Sequence, residues 1–253
     1  MIDLETLGWL VVGGLATAVG APAVLLFRRP ATWMVDSMSG FTAGIMLAAS
    51  MFSLLVPALE LGSVTSVAIG LLLGAGVIAI ADELIPHLHM LVTSRRGEHQ
   101  LKDPEHTESH TGLLVLVAMT IHNVPEGLAV GVAFAAGGPE LGIPIAVAIA
   151  IQNVPEGFVS GVTLVPSIGV RRAALIAAVT GLVEPPAALL GYVLADSVAS
   201  VLPGALAFAA GAMIYVVVDE LVPEQQSRGN ERIATFGLLI GFTLMLVLDN
   251  ALG

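Results

Sequence analysis

Apolar runs of about 18 residues or more recur along the whole chain, and nothing constrains its fold more. A helix of that length crosses the ~30 Å of hydrocarbon in a bilayer at ~1.5 Å per residue. Only 11% of the 253 residues are charged, where a soluble domain carries about 25%. The pattern predicts an all-α, polytopic membrane protein with eight transmembrane helices. They fall roughly at 6–27, 37–59, 64–90, 112–136, 141–166, 171–194, 203–225 and 232–252. The stretch 1–253 is expected to form a single transmembrane domain. The opening "MIDLETLGWL" has acids where a signal peptide needs bases, so the first run is expected to remain as a span. The absence of cysteine removes disulfides, thiolate metal sites and thiol catalysis.

The nine Lys and Arg all lie in or beside the odd-numbered loops, and loops two, four and six carry none. The positive-inside rule then places the odd loops in the cytoplasm and both termini outside. Asp3, Glu5, Glu60, Glu140, Asp196 and Asp249 remain on the outer side without bases. An outer face of that sign concentrates cations, although any one of these acids reads equally well as a solvated loop end. The loop 93–111, "TSRRGEHQLKDPEHTESHT", is polar, lacks apolar periodicity and holds His99, His106 and His110. It is expected to be a flexible cytoplasmic loop, either a weak metal binder or simply solvated.

The first and last three helices read as copies at an offset of 167. Gly14 matches Gly181, Phe41 matches Phe208, Gly44 matches Gly211, Met46 matches Met213, Gly74 matches Gly241 and Asp82 matches Asp249. Five helices separate the start of one copy from the start of the other, an odd number, so the second runs inverted through the membrane. The central pair repeats within itself: "IHNVPEG" begins at Ile121 and "IQNVPEG" at Ile151. A turn near Gly137 and Gly138 makes this pair antiparallel. The expected architecture is 3+2+3 with inverted repeats, a transporter signature whose substrate site lies near the midplane.

The polar residues of the central helices share one depth. His122 lies about ten residues, ~15 Å, into the fourth helix. Gln152 lies a similar distance into the fifth from the other side, and Glu184, in "GLVEPP", about as far into the sixth. Polar groups at that depth cost several kcal/mol and mark pathways or binding sites. His122 and Glu126 are i, i+4, as are Gln152 and Glu156, so each pair shares a face. Pro125 and Pro155 lack an N–H, which deprives the carbonyls of Ile121 and Ile151 of helical donors. One imidazole, three carboxylates and several amide oxygens suit Zn²⁺, and also Mn²⁺, Fe²⁺ or Cd²⁺. The glycines at small-xxx-small spacing, Gly40/Gly44, Gly70/Gly74 and Gly237/Gly241, predict close helix crossings. Met46 and Ser53 on the second helix, "DELIPHLH" with Asp82, Glu83, His87 and His89, and "DELVPE" with Asp219, Glu220 and Glu224 read as stations along a route or as packing and helix-end residues.

With "HNVPEG", "QNVPEG", "EPP" and a His-bearing loop in view, the chain resembles the ZIP (Zrt/Irt-like) family of divalent metal transporters, prokaryotic type, over all eight helices. The second-helix run "AGIMLAASMFSLLVP" adds to the likeness. The resemblance implies a binuclear midplane site. One position would use Met46, His122, Glu126, Gln152 and Glu156. The other would use Asn123, Glu126, Asn153, Glu156 and Glu184. It also implies Ser53 on the entry route, and Asp82, His87, His89 and Glu220 on the exit side. Many family members carry His or Asp where this chain has Gln152 and Asn153. The family further implies a homodimer, and an elevator movement of helices one, four, five and six against two, three, seven and eight.

The function expected is import of zinc, with iron, manganese and cadmium as further candidate ions, into the cytoplasm across a plasma membrane. The membrane potential favours inward movement of a divalent ion by about 4.6 kcal/mol at 100 mV. No cofactor, enzymatic activity or nucleic-acid partner is expected. The only lysine, Lys102, lies in "QLKDP" and not in a phosphate-binding loop. Two other readings remain: an intramembrane metalloprotease, which lacks the second histidine of an HExxH helix, and a channel-like metal pore.

Overall fold

The computed structural model describes residues 2–27, 30–94, 104–197, 199–223 and 229–252. No strand occurs among them. α1 is Leu4–Gly20, extended by a 3-10 turn Ala21–Leu25. Asp3 starts it, accepting a 2.7 Å hydrogen bond from the Thr6 amide, as an N-cap residue does. α2 is Thr32–Ala48, continued by π-helical Ala49–Leu55 and by Val56–Leu61. α3 is Val64–Ser94. The 65 residues Pro104–Ile168 are broken at Gly138, whose φ of 60° and ψ of −146° leave the helical region. Glycine tolerates that conformation and other residues rarely do. The break gives α4 (104–137) and α5 (139–168). α6 runs through Val170–Thr180, a 3-10 turn Gly181–Val183 and Glu184–Ser197. α7 is Leu202–Val216 with π-helical Val217–Leu221, and α8 is Glu231–Leu252.

Seven helical stretches are long and apolar enough to span a bilayer, counting the 50 residues Met119–Ile168 as one. The chain is a multi-pass membrane protein. α2 and α7 are the most enclosed spans, whereas α3 and α8 are mostly uncovered and turn Leu72, Ile80, Phe236 and Ile240 outward. Two expectations need correction. α2 begins at Thr32 rather than residue 37, because the polar segment before the apolar run is already helical. The stretch 93–111 is not loop throughout: α3 continues to Ser94, and the chain is helical again from Pro104, a residue that favours the first helical turn. His99 and the rest of 95–103 lie outside the described residues, as do the side chains of His106 and His110.

The helices pair through glycines, and the pairs are reciprocal at the offset of 167. A methyl at Gly44 of α2 would lie 2.0 Å from the Leu238 carbonyl oxygen of α8. One at Gly211 of α7 would lie 2.0 Å from the Leu71 carbonyl oxygen of α3. Gly74 likewise faces the Phe208 carbonyl and Gly241 the Phe41 carbonyl. In the central pair, Gly127 of α4 faces the Glu184 carbonyl and Gly157 of α5 the Thr17 carbonyl, both at 2.4 Å. Only a missing side chain lets backbones approach so closely. α2 therefore pairs with α8, α3 with α7, α4 with α6 and α1 with α5. The two π-helical stretches also fall at matched places, and they carry Ser53 and Glu220 at matching positions. A π-bulge frequently marks a functional site.

Candidate metal centre

The polar residues singled out by their depth converge. His122, Asn123 and Glu126 come from α4, Gln152, Asn153 and Glu156 from α5, and Glu184 from α6. All seven are buried, and so is Met46 of α2. Glu184 sits where α6 passes from a 3-10 turn back to α-helix, so the span tightens at the site without breaking. Gly127 and Gly157 bring the backbone of α4 against α6 and that of α5 against α1 at the same level.

Hydrogen bonding orders part of this cluster. The Gln152 amide donates to Glu126 Oε1 at 2.8 Å. The Asn153 amide donates to both oxygens of Glu184 at 2.8 Å and to the Gly13 carbonyl at 3.2 Å. Thr17 of α1 donates to Glu184 Oε1 at 3.1 Å. Four buried acceptors are left without a donor: Asn123 Oδ1, Glu126 Oε2, Gln152 Oε1 and Asn153 Oδ1. Unsatisfied buried acceptors are costly, and four together are what a hard or borderline cation would satisfy. The Asn123 amide nitrogen and Ser39 Oγ are also without partners.

A cavity of about 120 Å³ opens beside the cluster. Met46, His122, Glu126 and Glu156 line it beside the cluster, and among the described residues no lysine or arginine does. It continues past Ser160 and Thr163 of α5, towards the end where the chain turns at Gly169. Ser39 and Thr42 of α2, Met119 of α4 and Glu220 of α7 complete its wall.

The route residues divide between two ends. Ser53, in the π-helical part of α2, is fully buried and donates to Asp249 of α8. At the opposite side of the cluster His122 contacts Glu220, and Asp82 stands within electrostatic range of Glu220, Asp219 and His122. His87 and His89 belong to the helical backbone of α3, with side chains outside the described residues, and Glu224 is outside them altogether. Four contributors were not foreseen. Asp249 was read only as an outer acid, although its repeat match to Asp82 pointed to a paired role. Thr17 occupies the place matching Glu184 at the same offset, a signal in the sequence that was available. The cavity hydroxyls Ser39 and Ser160 carried no signal, since single hydroxyls are common in packed membrane helices.

Residues 87–249 match the family described as ZIP Zinc transporter. The chain belongs to the ZIP family. The zinc transporter GufA of Myxococcus xanthus is 41% identical over 256 residues, covering 96% of this chain and 97% of that protein. The zinc transporter ZIPB of Bordetella bronchiseptica is 40% identical over 267 residues, covering 97% of this chain and 82% of that protein. The zinc transporter ZIP11 of Xenopus tropicalis is 34% identical over 325 residues, covering 98% and 96%. ZIP proteins are transporters and not enzymes, which removes the protease reading.

Proposed function

We propose that this protein imports zinc across a plasma membrane into the cytoplasm through a site at the midplane. The observation that carries the reading is the set of unpaired buried acceptors on α4 and α5, placed beside a cavity that extends from Glu126 and Glu156 past Ser160 to Thr163. The donor set offers two positions sharing Glu126 and Glu156. Met46, His122 and Gln152 complete the first, which opens into the cavity. Asn123, Asn153 and Glu184 surround the second, where the resemblance implies a further ion. The same chemistry accepts Cd²⁺, Fe²⁺ or Mn²⁺.

The eight-span, 3+2+3 arrangement with inverted repeats and outward termini is part of this reading. The break at Gly138 and the reciprocal glycine contacts support it. Under this topology the cavity faces the cytoplasm, and the Ser53–Asp249 side faces outward. Alternating access proceeds as an elevator: α1, α4, α5 and α6 move against α2, α3, α7 and α8. The helix pairs lie within these two groups. The cavity lies on the seam, and His122 and Glu220 meet across it. A homodimer anchors the second group. Ser53 and Asp249 receive the ion, and Asp82, His87, His89 and Glu220 pass it inward.

The test is metal competition for uptake into proteoliposomes, with current recorded in parallel. Saturable zinc flux that cadmium, iron or manganese inhibits supports the carrier. An ohmic zinc current would replace it with the pore.

A further inference from the structure

Resting on the reading that Glu126 and Glu156 hold zinc, we propose that in this chain the amide of Asn153 takes the place of a second ion. Glu184 then acts as a positioning residue and not as a ligand, and each chain carries one zinc.

Asn153 Nδ2 has three acceptors around it: both oxygens of Glu184 at 2.8 Å and the Gly13 carbonyl oxygen at 3.2 Å. An amide placed the other way would set its oxygen against three oxygens, so chemistry fixes the orientation. The consequence is that Asn153 Oδ1 is turned away, buried and without a donor. Glu184 is thus to Asn153 what a carboxylate is to a metal-bound histidine, the partner that aims the ligand.

Glu184 is itself held. Thr17 donates to its Oε1. Gly13 leaves room for Oε2, since a methyl there would lie 2.4 Å from it. Both carboxylate oxygens therefore already have protein donors, whereas Glu126 Oε2 has none. An aspartate at 153 could donate nothing. Two carboxylates would then face each other, and a cation between them would be the natural remedy. One N–H of the amide is shared by both Glu184 oxygens and the other faces the Gly13 carbonyl, so the amide does at Glu184 what that cation would do. Thr17 and Glu184 also stand at matching repeat positions, so α1 contributes a hydroxyl where its counterpart contributes a carboxylate.

Zinc alone is the probe, measured as bound metal per chain on purified protein after equilibrium dialysis. The Glu126→Ala, Glu156→Ala double variant is measured in parallel, and its zinc is subtracted as background from the histidine-bearing segment. One zinc above background in the wild type supports the proposal, and two would overturn it. No zinc above background would instead overturn the midplane site itself. Asn153→Asp is expected to raise the count from one to two, and an unchanged count in the folded variant would refute the role given to the amide. Glu184→Gln keeps an acceptor for Asn153. It is expected to hold one zinc with KM for uptake raised several-fold and kcat retained. Loss of its zinc would make Glu184 a ligand and overturn the proposal. Thr17→Val should raise KM in the same direction and Thr17→Ser should restore it. A Thr17→Ser variant no better than Thr17→Val would argue against the hydroxyl.

Discussion

Gly131 and Gly161 occupy matching places in the central repeat, yet the structure gives them opposite tolerances for a methyl group. At Gly131 of α4 the new carbon would lie 1.9 Å from the Ala188 carbonyl oxygen and 2.7 Å from the Tyr192 amide nitrogen, both backbone atoms of α6. At Gly161 of α5 its nearest neighbours would be Val24 side-chain atoms at 3.4 Å. In Gly131→Ala, α4 and α6 must part by about 1.5 Å, the difference between 1.9 Å and an ordinary 3.4 Å contact. Overpacking of this kind costs about 1–3 kcal/mol. The gain in helix propensity, about 1 kcal/mol, offsets part of it. Gly161→Ala keeps that gain with nothing displaced. Thermal melts followed by size-exclusion of detergent-solubilised protein should therefore fall by several degrees for Gly131→Ala and hold or rise for Gly161→Ala. Zinc uptake should fall with the first, because Glu126 rides on α4 and Glu184 on α6. Equal shifts for the two variants would refute the argument from backbone approach.

Other outcomes follow from single contacts. Ser53→Ala removes the donor to Asp249, and uptake at low zinc is expected to fall several-fold while expression is unchanged. Asn230 donates to Asp36 at 2.9 Å and to Thr32 at 3.1 Å. Because Asp36 is fully buried, Asn230→Ala should lower stability by about 1–3 kcal/mol, read as an earlier melt. The Asp3 carboxylate is held below its ordinary pKa by the Thr6 amide. A depressed carboxylate stabilises above its unfolded pKa and loses that contribution as pH falls through the folded value. Amide exchange at residues 4–7 should thus stay slow at neutral pH, speed up only in strong acid, and be fast at all pH values in Asp3→Ala.

Much of the fold could be read because a bilayer leaves so few options. Run length placed most span ends within a few residues, and the even loops, free of Lys and Arg, suggested their direction. The break at Gly138 was visible as Gly137-Gly138-Pro139 between two apolar runs. The start of α2 and the helical turns after Pro104 were missed for one reason: polarity was taken for loop, whereas these helices extend past the apolar zone. The midplane cluster was legible because His122, Glu126, Glu156 and Glu184 are conspicuous in oily surroundings. Contacts that join distant helices were not. Nothing local in the sequence says that Thr17 meets Glu184, that Ser53 meets Asp249, or that His122 leans on Glu220. Those pairings depend on which helices share a glycine crossing, and the repeat offset is the one signal that anticipates them.

The central claim is that zinc crosses the membrane on the carboxylates of Glu126 and Glu156. It is tested most directly by zinc uptake into proteoliposomes holding equal amounts of wild type and the Glu126→Ala, Glu156→Ala double variant. The account predicts saturable uptake in the first and none above empty liposomes in the second, with both inserted and folded. Wild-type uptake by the double variant would contradict it.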